Sequence, residues 1–396
     1  MKRPIYLDHH ATTPVDRDVL EAMLPYFSEW FGNPSSRSHP LGWQAEEAVE
    51  RARHSVAAAV GAKSEEIVFT SGATESNVLA LSGVLKQRRN DRPHLVTVST
   101  EHLSVLETCR QWAGEGVDVT EVGVDTEGRV DPDEVAGAMT ERTALVSVML
   151  ANNEIGTLAP IAEITRRARA RGVLCHTDAT QAVGNMPVNV AVLGCDFLSF
   201  SAHKIYGPKG VGALYVGAPT AARRLLPMMP GGGQERGWRS GTLNVPGIVG
   251  FGRTCELVMQ RRGPDAARHR LLRDRLFHQM ASELDGMWVN GTMNERLANN
   301  LNVSFEGVEG EALFQGLRDL AVSNGSACQA AHRKPSHVLK AIGRSDALAH
   351  AAVRFGLGRE TTSAEIDHAA GRVVEVVRRL RTSRGTFASH GVAWRD

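Results

Sequence analysis

Certain stretches of the sequence hold side chains whose types and spacing could do chemistry. One is Ser201-Ala202-His203-Lys204, with a Gly/Pro-rich exit at Gly207-Pro208-Lys209-Gly210. A lysine buried beside other cations binds its proton less tightly and becomes a nucleophilic amine. In an exposed turn the same lysine is surface decoration. Another stretch is Cys175-His176-Thr177-Asp178-Ala179-Thr180-Gln181, an acid at the end of an apolar run. A carboxylate there either caps the next helix or answers a buried cation. A further stretch is Ser71-Gly72-Ala73-Thr74-Glu75-Ser76-Asn77, a small-residue turn opening a helical pattern. Free backbone N–H groups at such a start attract an anion such as phosphate, and an ordinary N-cap looks the same. An amine, an acid and an anion cradle together suit pyridoxal phosphate (PLP). The amine binds its carbonyl, the acid pairs with its ring nitrogen and the cradle takes its phosphate.

These stretches need elements to hold them. Between residues 45 and 260 short β-rich runs alternate with helical patterns such as 161–171. The strand candidates are 66–70, 94–99, 143–150, 172–176, 196–201 and 212–216. Such alternation predicts an α/β fold with a largely parallel or mixed sheet. In open α/β sheets, ligands bind at the carboxyl ends of strands. The chemically able residues fall at those ends: Ser71 to Thr74, Glu101-His102, Asn152-Asn153-Glu154, Asp178, and Ser201 to Lys204. Strand ends loaded in this way converge on one cleft. Beyond 260 come long helical patterns at 265–284 and 363–382, with strand-like runs at 299–305 and 352–356. They predict a second, α+β domain.

The 396 residues exceed one ordinary domain, and 42% hydrophobic content is normal for a packed globular protein. A net charge of +1 points neither to nucleic acid nor to an acidic substrate. The basic stretches 261–275 and 378–384 alternate with apolar residues as solvated helix faces do. The first residues are too short an apolar run for a signal peptide, and no stretch reaches membrane-spanning length, so the cytoplasm is the expected location. The cysteines are Cys109, Cys175, Cys195, Cys255 and Cys328, without C-x-x-C or zinc spacing. Most have apolar or helical surroundings, as small core residues do. Cys328 differs, in the small polar run Ser323-Asn324-Gly325-Ser326-Ala327-Cys328-Gln329. A metal site at His9-His10 or His176-x-Asp178 finds no third ligand at suitable spacing.

The ordered motifs resemble the cysteine desulfurases of the class-V aminotransferase family, of the nitrogen-fixation and iron–sulfur-cluster-assembly type. They begin with Tyr6-Leu7-Asp8-His9-His10-Ala11-Thr12-Thr13-Pro14 and Gly32-Asn33-Pro34-Ser35-Ser36. Ser71 to Asn77, Glu101-His102, Asn152 to Gly156, His176 to Gln181 and Ser201 to Lys204 follow. Arg239-Ser240-Gly241-Thr242, Gly325 to Cys328 and Arg354-Phe355-Gly356-Leu357-Gly358 complete them, so the resemblance spans essentially the whole chain. It implies the PLP-dependent transferase fold type I, similar to aspartate aminotransferase. That fold has a large domain at 15–260 with a mostly parallel seven-stranded sheet. A small α+β domain takes 1–14 and 261–396.

The resemblance also implies roles. Lys204 would carry PLP as a Schiff base and remove the substrate's α-proton. Asp178 would pair with the ring nitrogen, Gln181 would contact the phenolic oxygen, and His102 would stack on the ring and move protons. Ala73, Thr74, Ser201 and His203 would hold the phosphate. Thr242 would reach the phosphate of a neighbouring subunit in a homodimer. Asn33, Asn153 and Arg354 would receive the carboxylate of L-cysteine, Asn153 also lying against the cofactor; the arginine fork suits a carboxylate. Cys328 would take the sulfur as a persulfide and pass it to an acceptor protein, leaving alanine.

The run after Cys328, Gln329-Ala330-Ala331-His332-Arg333-Lys334-Pro335, is more basic than in housekeeping members. The ending 385–396 lacks the scaffold-docking tail associated with them. The acceptor therefore stays open between an iron–sulfur scaffold and a tRNA- or DNA-thiolation (phosphorothioation) protein. Rival functions are selenocysteine lyase, another PLP-dependent C–S lyase or an aminotransferase, which share Lys204, Asp178 and His102. Only Cys328 separates them. A non-catalytic platform for sulfur transfer would not need both Lys204 and Cys328.

Overall fold

The computed structural model describes residues 3–88, 91–217, 219–325 and 334–388. Its strands are β1 (Ile5–Tyr6), β2 (Ile67–Thr70), β3 (His94–Val98), β4 (Asp118–Val122), β5 (Thr143–Ser147), β6 (Leu174–Asp178), β7 (Phe197–Ser201), β8 (Gly212–Val216), β9 (Met287–Val289), β10 (Asn300–Phe305), β11 (Leu320–Ala321) and β12 (Ala352–Gly356). The main sheet has seven strands in the order β2-β8-β7-β6-β5-β3-β4. Neighbours from β7 to β4 are parallel, and β8 runs antiparallel to both β2 and β7. The strands β2, β3, β5, β6, β7 and β8 are wholly buried, as continuous apolar runs covered on both faces should be. The antiparallel β8 leaves β2 pointing the same way as β7. The C-terminal ends of β2, β7, β6, β5 and β3 therefore share one edge.

Sequence patterning found the α/β class and most of these strands. It missed β4, whose run Asp-Val-Thr-Glu-Val is half exposed at the sheet edge. It ended the fourth strand candidate at 176, whereas β6 continues to Asp178. The polar His176, Thr177 and Asp178 are buried there, so a hydrophobicity pattern stops short.

The helix Val245–Ala281 begins well before the expected 265. Its first half packs Ile248, Phe251, Cys255 and Val258 into the main-sheet core. Its second half packs Leu272, Leu276 and Met280 into another core with β10, β12 and the helix Ser363–Ala388. Gly252 permits the approach to the helix Pro40–Val60, because a Cβ there would stand 2.6 Å from the Ala52 Cα. In that second core β12, β10 and β9 form an antiparallel sheet. Leu7 belongs to the same core, and β1 pairs with β11, so the chain's beginning joins its later half.

One buried ion pair fixes the edge of the main sheet. Arg53 donates to both Glu235 oxygens at 2.8 and 2.7 Å, and to the Ile67 carbonyl at 2.9 Å. Glu235 Oε2 also accepts the Phe69 N–H at 2.6 Å. The pair thus pins the turn Glu235–Gly237 onto β2. Removing one partner of such a pair leaves an uncompensated buried charge. Glu235→Ala is expected to lower the unfolding free energy by about 3–5 kcal/mol. Urea titration would show this as a lower midpoint at unchanged slope.

Candidate active site

The shared strand edge encloses a cavity of about 490 Å³. Residues after β2 contribute Ser71, Gly72, Ala73 and Thr74, and the turn after β3 contributes His102. Asn153 enters after β5, Asp178, Thr180 and Gln181 from the end of β6, and Ser201, His203 and Lys204 from the end of β7. Arg354 on β12 closes the opposite wall. The cavity therefore gathers Lys204, His102, Ala73, Thr74, Asn153, Asp178, Gln181, Ser201, His203 and Arg354. It does not include Asn33 or Thr242, which are both exposed; Asn33 Oδ1 accepts the Ser35 N–H at 2.9 Å. Cys328 lies outside the described residues.

The charged groups of the wall have defined partners. Lys204 Nζ donates to the carbonyls of His10 and Ala11 at 2.6 and 2.8 Å. Those carbonyls belong to an N-terminal strap laid over the lysine turn. The strap is fastened where Thr13 donates its N–H to the His203 carbonyl at 2.9 Å and accepts the Tyr206 N–H at 2.7 Å. Tyr206 itself sits at φ 71°, in the left-handed region, so the turn is tight. The buried Asp178 accepts from Asn77 Nδ2 at 2.7 Å and from the Thr180 N–H at 2.9 Å. Arg354 donates Nη1 to the Asn153 carbonyl and Nη2 to Asp8, each at 2.8 Å.

His102 caps the helix Leu103–Gly114: its Nδ1 accepts the Ser104 N–H at 3.1 Å. In the neutral ring the proton must then sit on Nε2. Burial pushes the His102 pKa below its ordinary value; Asp178 opposes this, and Lys204 and His337 add to it. Burial, Lys204 and Lys209 push His203 down to about 4. The neighbouring Glu101 is fully buried, and burial followed by Asp178 pushes its carboxyl well above the ordinary value.

The cavity fits PLP on several counts. The helix Ala73–Gln87 starts without a side-chain cap, so its first N–H groups are available to a phosphate. Asp178 has neutral amide donors, which leaves its charge for a ring cation. Asn153 Oδ1, Thr180 Oγ1 and Arg354 Nε are buried cavity-wall atoms with no hydrogen-bond partner among the described residues. A polar ligand would satisfy them.

Sequence reasoning missed the strap as part of the wall. His10, Ala11 and Thr12 line the cavity; in the sequence His9-His10 was weighed as a metal pair, and the resemblance included the run without giving it a role. Their signal was the run of polar and small residues in a segment too short to be an element. Asp8 and Glu101 were also missed as supports. The other cysteines are buried. Burial pushes Cys109 and Cys175 up to about 12, and Cys195 and Cys255 also upward, so these remain thiols.

The aminotransferase class-V family model matches residues 5–368 of this chain. A cysteine desulfurase IscS of Anaeromyxobacter sp. (strain Fw109-5) is 54% identical over 96% of this chain and 94% of its own length. The solved structure of a NifS-like protein superposes with a TM-score of 0.88 at 37% identity, covering 95% of this chain and 100% of that one. A structure of SspA in complex with cysteine gives a TM-score of 0.80 at 38% identity, covering 89% of this chain and 98% of that one. The chain belongs to the class-V aminotransferases, and it is a PLP-dependent enzyme. Within that family it stands with the cysteine desulfurases.

Buried histidines give the fold a defined response to acid. The His176 ring bonds the hydroxyls of Ser147 and Ser199, and burial pushes it down to about 4. The unfolded chain takes that proton near pH 6.5, whereas the folded chain does so only near 4. Its contribution is therefore intact above pH 6.5 and is lost as pH falls toward 4. The size is about 1.4 kcal/mol per pH unit. Glu101, raised rather than lowered, acts in the opposite direction. The clean readout is thus a difference. Below pH 6 the stability of the parent should fall more steeply than that of His176→Gln, by about 1.4 kcal/mol per unit. Urea midpoints at a series of pH values, with PLP bound, check it.

Proposed function

We propose that the enzyme converts L-cysteine to L-alanine and moves the sulfur to Cys328 as a persulfide. The observation that carries this reading is the shared cavity of Lys204, Asp178, His102 and Arg354, whose arginine wall adjoins the stem of the Cys328 segment. Arg354 donates its backbone N–H to the Ser323 carbonyl at 2.7 Å, five residues before that cysteine.

Bound PLP supplies an electron sink that makes the substrate's α-proton acidic and loosens its C–S bond. Lys204 would hold the cofactor and then carry the α-proton, Asp178 would keep the ring nitrogen protonated, and Gln181 would face the phenolic oxygen. His102 would stack on the ring and donate through Nε2–H. Ala73, Thr74, Ser201 and His203 would hold the phosphate, with the partner subunit's Thr242. Arg354 would offer Nε to the substrate carboxylate, with Asn153 and Asn33 beside it. The Cys328 thiolate attacks the substrate sulfur. An S–S bond forms, the substrate's C–S bond breaks, and its electron pair stays on the carbon that takes a proton to become alanine's methyl group. The atoms balance without an outside oxidant.

The homodimer is supported by Leu24, Phe27, Trp30 and Phe31, all exposed within a short stretch of the chain. The acceptor is proposed to be a protein of iron–sulfur-cluster assembly, which the 54% identical relative supports. A thiolation protein would show instead if isotopic sulfur from the labelled persulfide, chased in cell extract, appeared there.

Cys328→Ser should keep the yellow cofactor and abolish persulfide and sulfide release from cysteine. Full activity in that variant would sink the assigned role. Lys204→Ala should lose at least the 10²–10⁴-fold roughly due to a positioned acid–base group. Phe27→Glu with Phe31→Glu should move the sedimenting species toward monomer and weaken PLP retention.

A further inference from the structure

The catalytic cavity does not account for Glu154. This residue follows Asn153 in the turn after β5 and is fully buried. Asn152 Oδ1 fixes the turn by accepting the N–H of Glu154 and of Ile155 at 2.8 and 2.9 Å. The Glu154 carbonyl takes Asn300 and Asn302 of β10 at 3.2 and 3.1 Å. The carboxylate is thereby held in one place between the two cores. Among the described residues no cation pairs with it, and Oε2 accepts the Ser336 hydroxyl at 2.5 Å. On the other side Gly325 comes so near that a Cβ there would stand 2.8 Å from the same oxygen. Gly325 and Ser336 flank the stretch that contains Cys328.

The same roots are tied to the substrate wall. Ser323 donates its hydroxyl to Asp8 Oδ1 at 3.2 Å, and that oxygen also takes Arg354 Nη2. Past Ser336, His337 Nε2 donates to the Glu101 carbonyl at 2.9 Å, one residue before His102. Both ends of the Cys328 stretch are therefore referenced to the groups that would hold the substrate and move its protons.

We infer that Glu154 is a positioning residue for sulfur transfer, fixing the two ends of the Cys328 stretch against the wall formed by Asn153 and Arg354. This rests on the role proposed for Cys328. Glu154 touches no reacting atom; it sets where the attacking thiol starts. Misplacing a reacting group by about 1 Å costs roughly 10²-fold in rate. The contact should thus affect the S–S bond-forming step and leave substrate capture alone.

The experiment uses the PLP-loaded enzyme and L-cysteine. One signal is the change in cofactor absorption on mixing, which reports capture. The other is persulfide on the Cys328 peptide, trapped by alkylation and weighed. Glu154→Ala and Ser336→Ala should each slow persulfide appearance roughly 10- to 100-fold while capture affinity stays within about twofold. The double variant should be little slower than either single one, as expected for one shared contact. Glu154→Gln, which keeps an acceptor oxygen, should be intermediate. Gly325→Ala reads the contact from the other side and stands in if Glu154→Ala does not fold. Unchanged persulfide rates, or equal losses in capture and persulfide, would overturn the inference. Persulfide that still forms in Cys328→Ser would overturn the underlying role of Cys328 instead.

Discussion

The structure depends on holding opposite charges apart from one another around a single cavity. Lys204, Asp178 and Arg354 face one cavity, and the aspartate in contact with either cation would cancel its charge. Their partners prevent this. The lysine donates to carbonyls, the aspartate accepts from amide N–H groups, and the arginine pairs with Asp8. A buried charge with neutral hydrogen-bond partners stays electrostatically available to a ligand. This explains the N-terminal strap. The backbone at His10 and Ala11 supplies acceptors without adding a charge. Strap, sheet edge and β12 wall are then three parts of one solution.

The same constraint explains which parts were legible in the sequence. The strands of the main sheet are short apolar runs with able residues at their ends, so their existence and the site's position could be read locally. Lys204, Asp178, His102 and the Ser71–Thr74 turn all announced themselves in this way. Arg354 did not follow from local pattern, and Cys328 stood out only by its small polar run; the resemblance to a known family supplied their roles. The supports were illegible for a physical reason. Asp8 meets Arg354 across 346 residues, and Glu154 meets Ser336 across 182. No periodicity encodes such pairs. β4 was lost because an edge strand with one wet face carries mixed polarity, and the helix Val245–Ala281 was cut because it changes cores midway.

The cysteines show the division of labour in chemical terms. A thiol attacks only as thiolate, and a thiolate needs water or a cation nearby. Burial pushes Cys109, Cys175, Cys195 and Cys255 upward, so none competes for the substrate sulfur. The sequence separates Cys328 from these by composition alone, in a small polar run rather than an apolar one. Selectivity among thiols is thus set by the core itself, with no device dedicated to protecting the others.

A transferable sulfur creates a second demand that the cofactor chemistry does not. The carbon chemistry needs fixed groups, whereas the sulfur must leave the place where it was taken. A stretch held at both ends keeps its anchors in register with the fixed groups. Its ends are at Ser323–Gly325 and Ser336–His337, and both contact residues beside the proposed substrate and proton-transfer groups. Glu154 occupies the point where these ends meet the rigid turn after β5. A residue without an acceptor oxygen there would lose the short bond to Ser336, and a larger one would collide with Gly325. A buried carboxylate has a desolvation cost that core packing alone would not require. Its retention at this point is understandable if accurate placement of the thiol's anchors is worth more to the enzyme than the stability it forgoes.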